Sequence, residues 1–412
     1  MEKRLRNIVV IEDYGSIVGG AERVAIETAV ALKQEGFRVI FFCAVAPIAN
    51  VMVDNQVEIV CLNQNALVQE KNRIKGVLRG INNKQAKKRF SALLDTLDPE
   101  ETVVHVHSWT KALSSVLFPV AKKKGFKVAI TVHEYFLVCP NGGFFNFPKK
   151  EICQVKPMSL KCLTCNCDAR SYPQKLFRVV RQRRQNKNIR KCDNISYIFI
   201  SEFSKREFLK RYDKIPEDKR YFLTNMIHFD EHRFRVECEK NDTYLFIGGL
   251  TEVKGIRLFC EAVTRAGVKA VAIGQGLLYE ELKAQYPNVE FAGWKTKEEM
   301  LPYLQKTRCL VFPSIWYETF GLVPMENMAY GIPVICSDLN AASDYVADGE
   351  NGFVYNGKSI EALVESIERS RNDELVQKLS FNAFENFDEE KYSTQTYVKD
   401  LVKILDNVRK GY

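Results

Sequence analysis

The chain has 412 residues, 46% apolar and 27% charged, the balance of a soluble globular protein long enough for two or three domains. No run approaches the roughly eighteen apolar residues that span a bilayer, and the longest, Val39 to Ala49, contains Pro47. The N-terminus has no signal-peptide core, so the protein is expected in the cytoplasm, where twelve cysteines mean thiols or a metal site rather than a disulfide framework.

In chain order, Asn7 to Ile11 is a short apolar run that predicts a buried parallel strand. A loop follows, Tyr14 to Gly20, and then Ala21 to Leu32 carries helical periodicity until Gly36 stops it. Val39 to Ala44 is the next strand. The glycines Gly19 and Gly20 thus stand at the first strand-to-helix turn, where backbone can approach a ligand, although many such turns use glycine for geometry alone. Further strands are predicted at Val57–Leu62, Val103–Val106, Lys127–Val132 and Tyr197–Ile200. Tyr221 to Asp242 is polar and irregular and marks the domain boundary. A second series follows at Tyr244–Ile247, Val268–Ile273, Val289–Phe291, Cys309–Phe312 and Pro333–Cys336, and a last helix runs from Glu389 to Val408. Alternating strands and helices predict two doubly wound parallel sheets, in domains 1–222 and 223–388, with 389–412 as a closing helix.

Two glutamates eight positions apart, Glu318 and Glu326, stand just after the Cys309–Phe312 strand. Phe320-Gly321-Leu322 opens a helix that Gly331-Ile332-Pro333 ends, so Glu318 is read as a loop residue and Glu326 as lying about two helical turns further on, on the same side of the helix as the loop. In open α/β sheets ligands sit where strands end and helices begin. A carboxylate accepts hydrogen bonds in pairs, which suits vicinal hydroxyls, and free amides at a helix start suit a phosphate. The bland alternative is two solvated helix-end carboxylates. With Phe320-Gly321, Gly331-Ile332-Pro333-Val334 and Asp338 behind them, Glu318 and Glu326 resemble the E-x7-E signature of family-four glycosyltransferases. That resemblance implies a GT-B fold, two Rossmann-like domains facing a cleft, and retaining sugar transfer from a nucleotide sugar. It also implies that the closing helix crosses back to the first domain.

The resemblance extends to other loops. Gly248-Gly249-Leu250-Thr251-Glu252-Val253-Lys254-Gly255 is similar to the family's diphosphate loop, where an arginine and a lysine clamp the donor. Lys254 matches the lysine, and Gly249 stands where the arginine belongs. Either another cation fills that gap, such as Arg257 or an arginine of the first domain, or donor binding is looser. Gly19-Gly20-Ala21-Glu22 resembles the N-terminal loop near acceptor and donor phosphate. His133 falls where the family has a histidine that reaches the transferred sugar, and Glu134 replaces the aspartate that follows it. His107 ends another strand and carries less signal. Asn225 resembles an asparagine before the second domain but lacks the flanking proline and glycine, and is read as structural. The implied roles are then these: Glu326 on the nucleotide ribose; Glu318 with Thr319, Phe320, Gly321 and Leu322 on sugar and phosphate; Lys254 on the diphosphate; His133, Gly19 and Gly20 closing the site. No Asp-x-Asp pair of the metal-using transferases occurs, so no catalytic metal is expected. The rival readings are a glycogen-synthase-like or phosphorylase-like enzyme on soluble glucan, and a non-catalytic sugar-nucleotide-binding partner.

Two features lie outside that site. Cys139, Cys153, Cys162, Cys165 and Cys167 put five thiols in a short segment rich in glycine, proline and asparagine. A Cys-x2-Cys with two more cysteines nearby fits structural zinc, with Cys139, Cys153, Cys162 and Cys165 as the expected ligands and Cys167 as a fifth candidate. Free buried thiols or a redox pair are the alternatives, and similar insertions in some bacterial family-four enzymes of surface-polysaccharide assembly point to the metal. The net charge of +9 is concentrated at Lys71–Arg89 and Lys175–Lys191, each with eight basic residues. These segments predict contact with an anionic membrane surface, at its cytoplasmic face, or with an acidic acceptor; no nucleic-acid motif accompanies them.

Overall fold

Strands covered by helices on both faces are buried on both sides, so their sequences read as continuous apolar runs rather than alternating ones. The computed structural model describes residues 3–229 and 233–411, and builds these runs into two parallel sheets. The first domain contains β1 (Asn7–Tyr14), β2 (Arg38–Val45), β3 (Glu58–Cys61), β4 (Thr102–Val106), β5 (Lys127–Thr131), the small hairpin β6 (Phe145–Asn146) and β7 (Glu151–Ile152), β8 (Ile195–Phe199) and β9 (Arg220–Phe222). The second contains β10 (Thr243–Ile247), β11 (Lys269–Ile273), β12 (Val289–Gly293), β13 (Thr307–Phe312), β14 (Val334–Ser337) and β15 (Gly352–Tyr355).

The seven-stranded sheet runs β3-β2-β1-β4-β5-β8-β9 and the six-stranded one β12-β11-β10-β13-β14-β15. In each, strand order reverses beside the first strand, at β1/β4 and at β10/β13. Connections leave in opposite directions there and open a crevice at the carboxyl ends. The loops at those ends are the ones that carry Gly19-Gly20, His107, Gly248-Gly249 and Pro313–Gly321.

Three strand features escape a reading by apolar runs. β9 and β15 are short edge strands of three and four residues, and β6–β7 is a two-residue pairing inside the cysteine segment. The stretch expected to be irregular from Tyr221 onward begins as strand: Tyr221 and Phe222 pair with Ile198 and Phe199, because the free edge of β8 supplies partners that local sequence does not reveal. That stretch also includes residues 230–232, which lie outside the described residues.

Ser393, whose side chain accepts from the Thr396 amide, starts the closing helix Thr394–Lys410 afresh after a short Glu389–Tyr392 turn. Tyr397, Leu401, Leu405 and Val408 recur at helical spacing and join the apolar core beneath the first sheet, beside Ile8, Val10 and Leu32. The Tyr397 hydroxyl meets Thr28 Oγ1 at 2.9 Å. The chain's end is therefore built into the first domain. Among the described residues no helix is long and apolar enough to cross a membrane.

Candidate functional site

β13 is buried along its whole length and delivers Pro313–Phe320 to the cleft. Gly321 has φ 91°, a conformation that favours glycine, and turns the chain into the helix Leu322–Met328. The helix begins at Leu322, so Glu326 stands one turn into it. Glu318 is 9% exposed. Its Oε1 accepts from Lys254 Nζ at 2.6 Å, Trp316 Nε1 at 2.8 Å and Ser314 Oγ at 3.0 Å. Glu326 Oε1 pairs instead with Arg23 Nη1 of the first domain at 2.8 Å. Both glutamates thus have a cation partner, one from each domain.

Lys254 is set by the turn that follows β10. Gly255 has φ 74°, and a Cβ there would lie 2.0 Å from the Pro313 carbonyl oxygen, so only glycine lets this turn pack under the Glu318 loop. Gly249 differs, since a Cβ on it would meet nothing within 4 Å. Arg257 is turned away from the cleft, with Nη2 3.1 Å from Glu252 and 2.8 Å from Glu281.

The first domain forms the opposite wall. Gly19 and Gly20 open the helix Gly20–Gln34, and the Cβ position of Gly20 is 3.5 Å from Leu322 Cδ1. His133 Nε2 and His107 Nδ1 are 2.9 Å apart, and the two rings stack with centroids 5.1 Å apart. His105 lies against His107 in turn, centroids 4.3 Å apart. Burial, aided by the Lys111 ammonium, holds His133 down to about 3, burial first of all holds His105 down to about 3, and burial, with His105 and His133 beside it, holds His107 well below the usual histidine range. These imidazoles are neutral near pH 7. Thr319 Oγ1 donates to the His133 carbonyl at 2.8 Å and Ser201 Oγ donates to the Thr319 carbonyl at 2.7 Å, so loops of the two domains are hydrogen-bonded across the cleft. The enclosed space is about 510 Å³. Its lining includes Gly19, Gly20, His133, Gly248, Gly249, Lys254 and Glu318 through Glu326 apart from Pro324 and Met325. Asn225, read from sequence as structural, also lines it, and its buried Oδ1 has no hydrogen-bond partner among the described residues. Arg23, Trp316, Ser314 and Tyr135 are further site residues that the sequence did not single out. Each had a local cue: Arg23 stands one turn beyond Gly19-Gly20, Ser314 and Trp316 lie in the Glu318 loop, and Tyr135 follows His133 by two residues.

The family model of Glycosyltransferase Family 4 matches residues 18–231, more than half of the chain, and that of Glycosyl transferases group 1 matches 228–386. The chain belongs to glycosyltransferase family 4. Its relatives include MJ1178, an uncharacterized glycosyltransferase of Methanocaldococcus jannaschii, 29% identical over 40% of this chain and 48% of that one. Another is the D-rhamnosyltransferase WbpZ of Pseudomonas aeruginosa, 33% identical over 27% of this chain and 31% of that one. The matches therefore span less than half the length of these relatives. Among solved structures, a glycosyltransferase from Rickettsia africae superposes over 99% of this chain and all of that one, with TM-score 0.69 and 17% identity. Sucrose-phosphate synthase of Thermosynechococcus elongatus does so over 99% of this chain with TM-score 0.72 and 17% identity. Anabaena HepE, crystallised with UDP and glucose, has TM-score 0.67 at 14% identity over 97% of this chain. These likenesses establish the GT-B fold of this family-four chain.

The cysteine segment of this family member folds back on the first domain. Cys139, Cys162 and Cys167 are buried, and Cys153 and Cys165 are partly so. Burial first, then the nearby Cys139, Cys162 and Cys165, raises the Cys153 thiol. Lys175, 1% exposed, points its Nζ at Cys167 Sγ (3.0 Å) and Cys162 Sγ (3.7 Å). Among the described residues no three His, Cys, Asp or Glu side chains are arranged to hold a metal ion. The donor chemistry suits zinc; the arrangement is that of thiols around an ammonium.

The basic segments diverge. In the helix Tyr172–Ile189, Lys175 and Arg181 face inward, Arg181 donating to the Thr110 carbonyl at 2.9 Å and the Pro140 carbonyl at 3.3 Å. Val179 is buried, and Phe177 lies where any side chain on Gly80 would clash, its Cζ 2.6 Å from that Cβ position. The basic residues of this segment therefore divide, Lys175 and Arg181 inward and Arg183, Lys187, Arg190 and Lys191 outward, and sequence periodicity could not tell which side packs on the domain. The helix Arg73–Ile81, packed on it through Gly80, exposes Ile74 (74%) and Leu78 (62%). Leu176 and Val180 of the Tyr172–Ile189 helix are exposed as well.

Proposed function

We propose that the protein is a retaining glycosyltransferase that moves a sugar from a nucleotide sugar to a cell-surface or lipid-linked glycan. The observation that carries this reading is the pair of glutamates on one loop-helix unit, each matched by a cation, facing His133 across an enclosed cleft. In this reading Glu326 accepts hydrogen bonds from the ribose hydroxyls. Glu318 and the amides of Thr319 to Leu322 hold sugar and phosphate, and Lys254 offsets charge on the departing diphosphate. A neutral His133 donates a hydrogen bond to the sugar or phosphate without adding a buried charge. The leaving phosphate takes the acceptor's proton, so the protein's share is positioning and charge placement rather than a side-chain base, and no step needs a metal.

Relatives named for surface-glycan assembly support the acceptor class: the O-antigen chain mannosyltransferase B of Escherichia coli and the capsular polysaccharide biosynthesis glycosyltransferase CapM of Staphylococcus aureus. So does a groove of about 720 Å³ at the end of β3, whose lining includes the amide side chains of Asn63, Gln64, Asn65, Asn72, Asn82 and Gln85, with Ile74 and Leu78 at one side of it. Amides donate and accept, as polyhydroxylated ligands require. The exposed Ile74, Leu78, Leu176 and Val180, with Lys71, Arg73 and Lys75 around them, support peripheral attachment to an anionic membrane at its cytoplasmic face. On thiol chemistry rather than arrangement, the cysteine segment is proposed to take a structural zinc. The described partners of the buried Lys175 ammonium are sulfurs, and a thiolate centre would supply the missing negative charge.

The test is a nucleotide-sugar panel, first by thermal shift and then by diphosphate release with bacterial lipid extract as acceptor. Lipid-dependent turnover of one donor is expected. Turnover on soluble glucan without lipid would favour the glycogen-synthase-like reading, and donor binding without turnover on any acceptor the non-catalytic one.

A further inference from the structure

Among its described lining residues the cleft carries two lasting positive charges, Lys254 and Arg23. Each neutralises one glutamate, at 2.6 Å for Lys254–Glu318 and 2.8 Å for Arg23–Glu326. The pairs differ in origin. Lys254 and Glu318 belong to one domain, whereas Arg23 reaches Glu326 from the other. Gly249 leaves open space where a second cation of the same domain would stand, and Arg257 is engaged with Glu252 and Glu281. A diphosphate entering this cleft meets one cation from the second domain, and the nearest further one comes from across the gap.

We propose that Arg23 is the second diphosphate-binding cation, and that it reaches the phosphates by exchange. This rests on the donor reading above. In the free protein Arg23 neutralises Glu326, so the cleft does not present a bare carboxylate to an anionic donor. When the ribose hydroxyls take Glu326, Arg23 is released to the phosphates. The geometry suits the exchange: Glu27, one turn further along the same helix, holds Arg23 Nε at 2.9 Å, which leaves the terminal nitrogens as the part that changes partner. A guanidinium meets phosphate oxygens with two parallel hydrogen bonds, as it meets a carboxylate, so neither state leaves its donors unmatched. The starting turn of the Arg23 helix already lies against Leu322 of the second domain, so the move spans a side chain's reach and not a domain's. The consequence is that diphosphate affinity depends on both walls of the cleft, and the empty place at Gly249 is compensated from the first domain.

The experiment is calorimetric titration of the full chain with UDP, GDP, ADP and dTDP, and with the nucleoside of whichever diphosphate binds. Arg23→Ala is expected to weaken the diphosphate at least about tenfold, the scale of one charge-assisted hydrogen bond, while the nucleoside binds as in wild type or tighter, since Glu326 is freed. Arg23→Lys should recover part of the loss. In Arg23→Ala/Gly249→Arg the arginine is supplied from the second domain, and diphosphate affinity should return toward wild type. Equal losses for nucleoside and diphosphate, no loss at all, or no recovery on adding Gly249→Arg would each overturn the proposal. Should wild type bind none of the four diphosphates, the donor reading itself fails and the exchange with it.

Discussion

Removing the Glu318 carboxylate tests the site most directly, because the structure assigns it a load before any substrate binds. Oε1 accepts three hydrogen bonds, from Lys254, Trp316 and Ser314. Glu318→Ala leaves all three donors without that partner. The side chain of Lys254 is 32% exposed, so water recovers much of its charge and its share is about 1 kcal/mol. The indole and hydroxyl donors lose about 1 kcal/mol each, and more if left dry. The sum is about 2–4 kcal/mol, or a fall in Tm of about 5–10 °C for a domain of this size. Glu326 is different: its side chain is 23% exposed and that of Arg23 30%, so Glu326→Ala should cost no more than about 1 kcal/mol. Both variants should cut sugar transfer roughly ten- to a hundredfold. Urea unfolding of the ligand-free proteins measures the first quantity, and a double-mutant cycle with Lys254→Ala isolates the ion pair. A Glu318→Ala variant within about 0.5 kcal/mol of wild type, or a cycle additive to that margin, would refute the assignment of Lys254 and Glu318 as a pair.

Three further outcomes are expected. Cosedimentation with anionic liposomes should depend on salt and be lost in Ile74→Glu/Leu78→Glu; binding unchanged in that variant would remove the membrane face. Elemental analysis of protein purified without added metal should give one zinc per chain, and a metal-free yet fully folded preparation would exclude the structural metal. His105, His107 and His133 are held neutral by burial, so the folded chain binds fewer protons than the unfolded one below the free histidine value of about 6.5. Their contribution is whole above that pH and is lost progressively as pH falls below it, by up to about 1.4 kcal/mol per pH unit for each. Buried Glu12 and Asp13, whose carboxyls burial raises, act in the opposite sense, so the diagnostic is a difference. His107→Phe should flatten the stability curve between pH 6.5 and 5 by about one proton's slope, and parallel curves would contradict the assignment.

The sequence by itself determined the two doubly wound sheets, the glycine turns at their switch points, and the glutamates and lysine after β13 and β10. Each is legible because burial and turn geometry are written locally, as apolar runs, glycine stops and spacing along one element. The helix that carries Glu326 starts where Gly321 adopts its positive φ, at the Phe320-Gly321-Leu322 opening that the sequence shows. Only the tertiary structure decided which charges meet. Arg23 finds Glu326 across the domain interface, His107 finds His133 across neighbouring strands, and Lys175 and Arg181 turn inward from a helix that reads as uniformly basic. Ion pairs and ring stacking of this kind depend on how sheets, helices and domains pack in three dimensions. No period of 3.6 or 2 along the chain encodes that, because the partners lie on different elements whose relative placement is fixed by the cores between them.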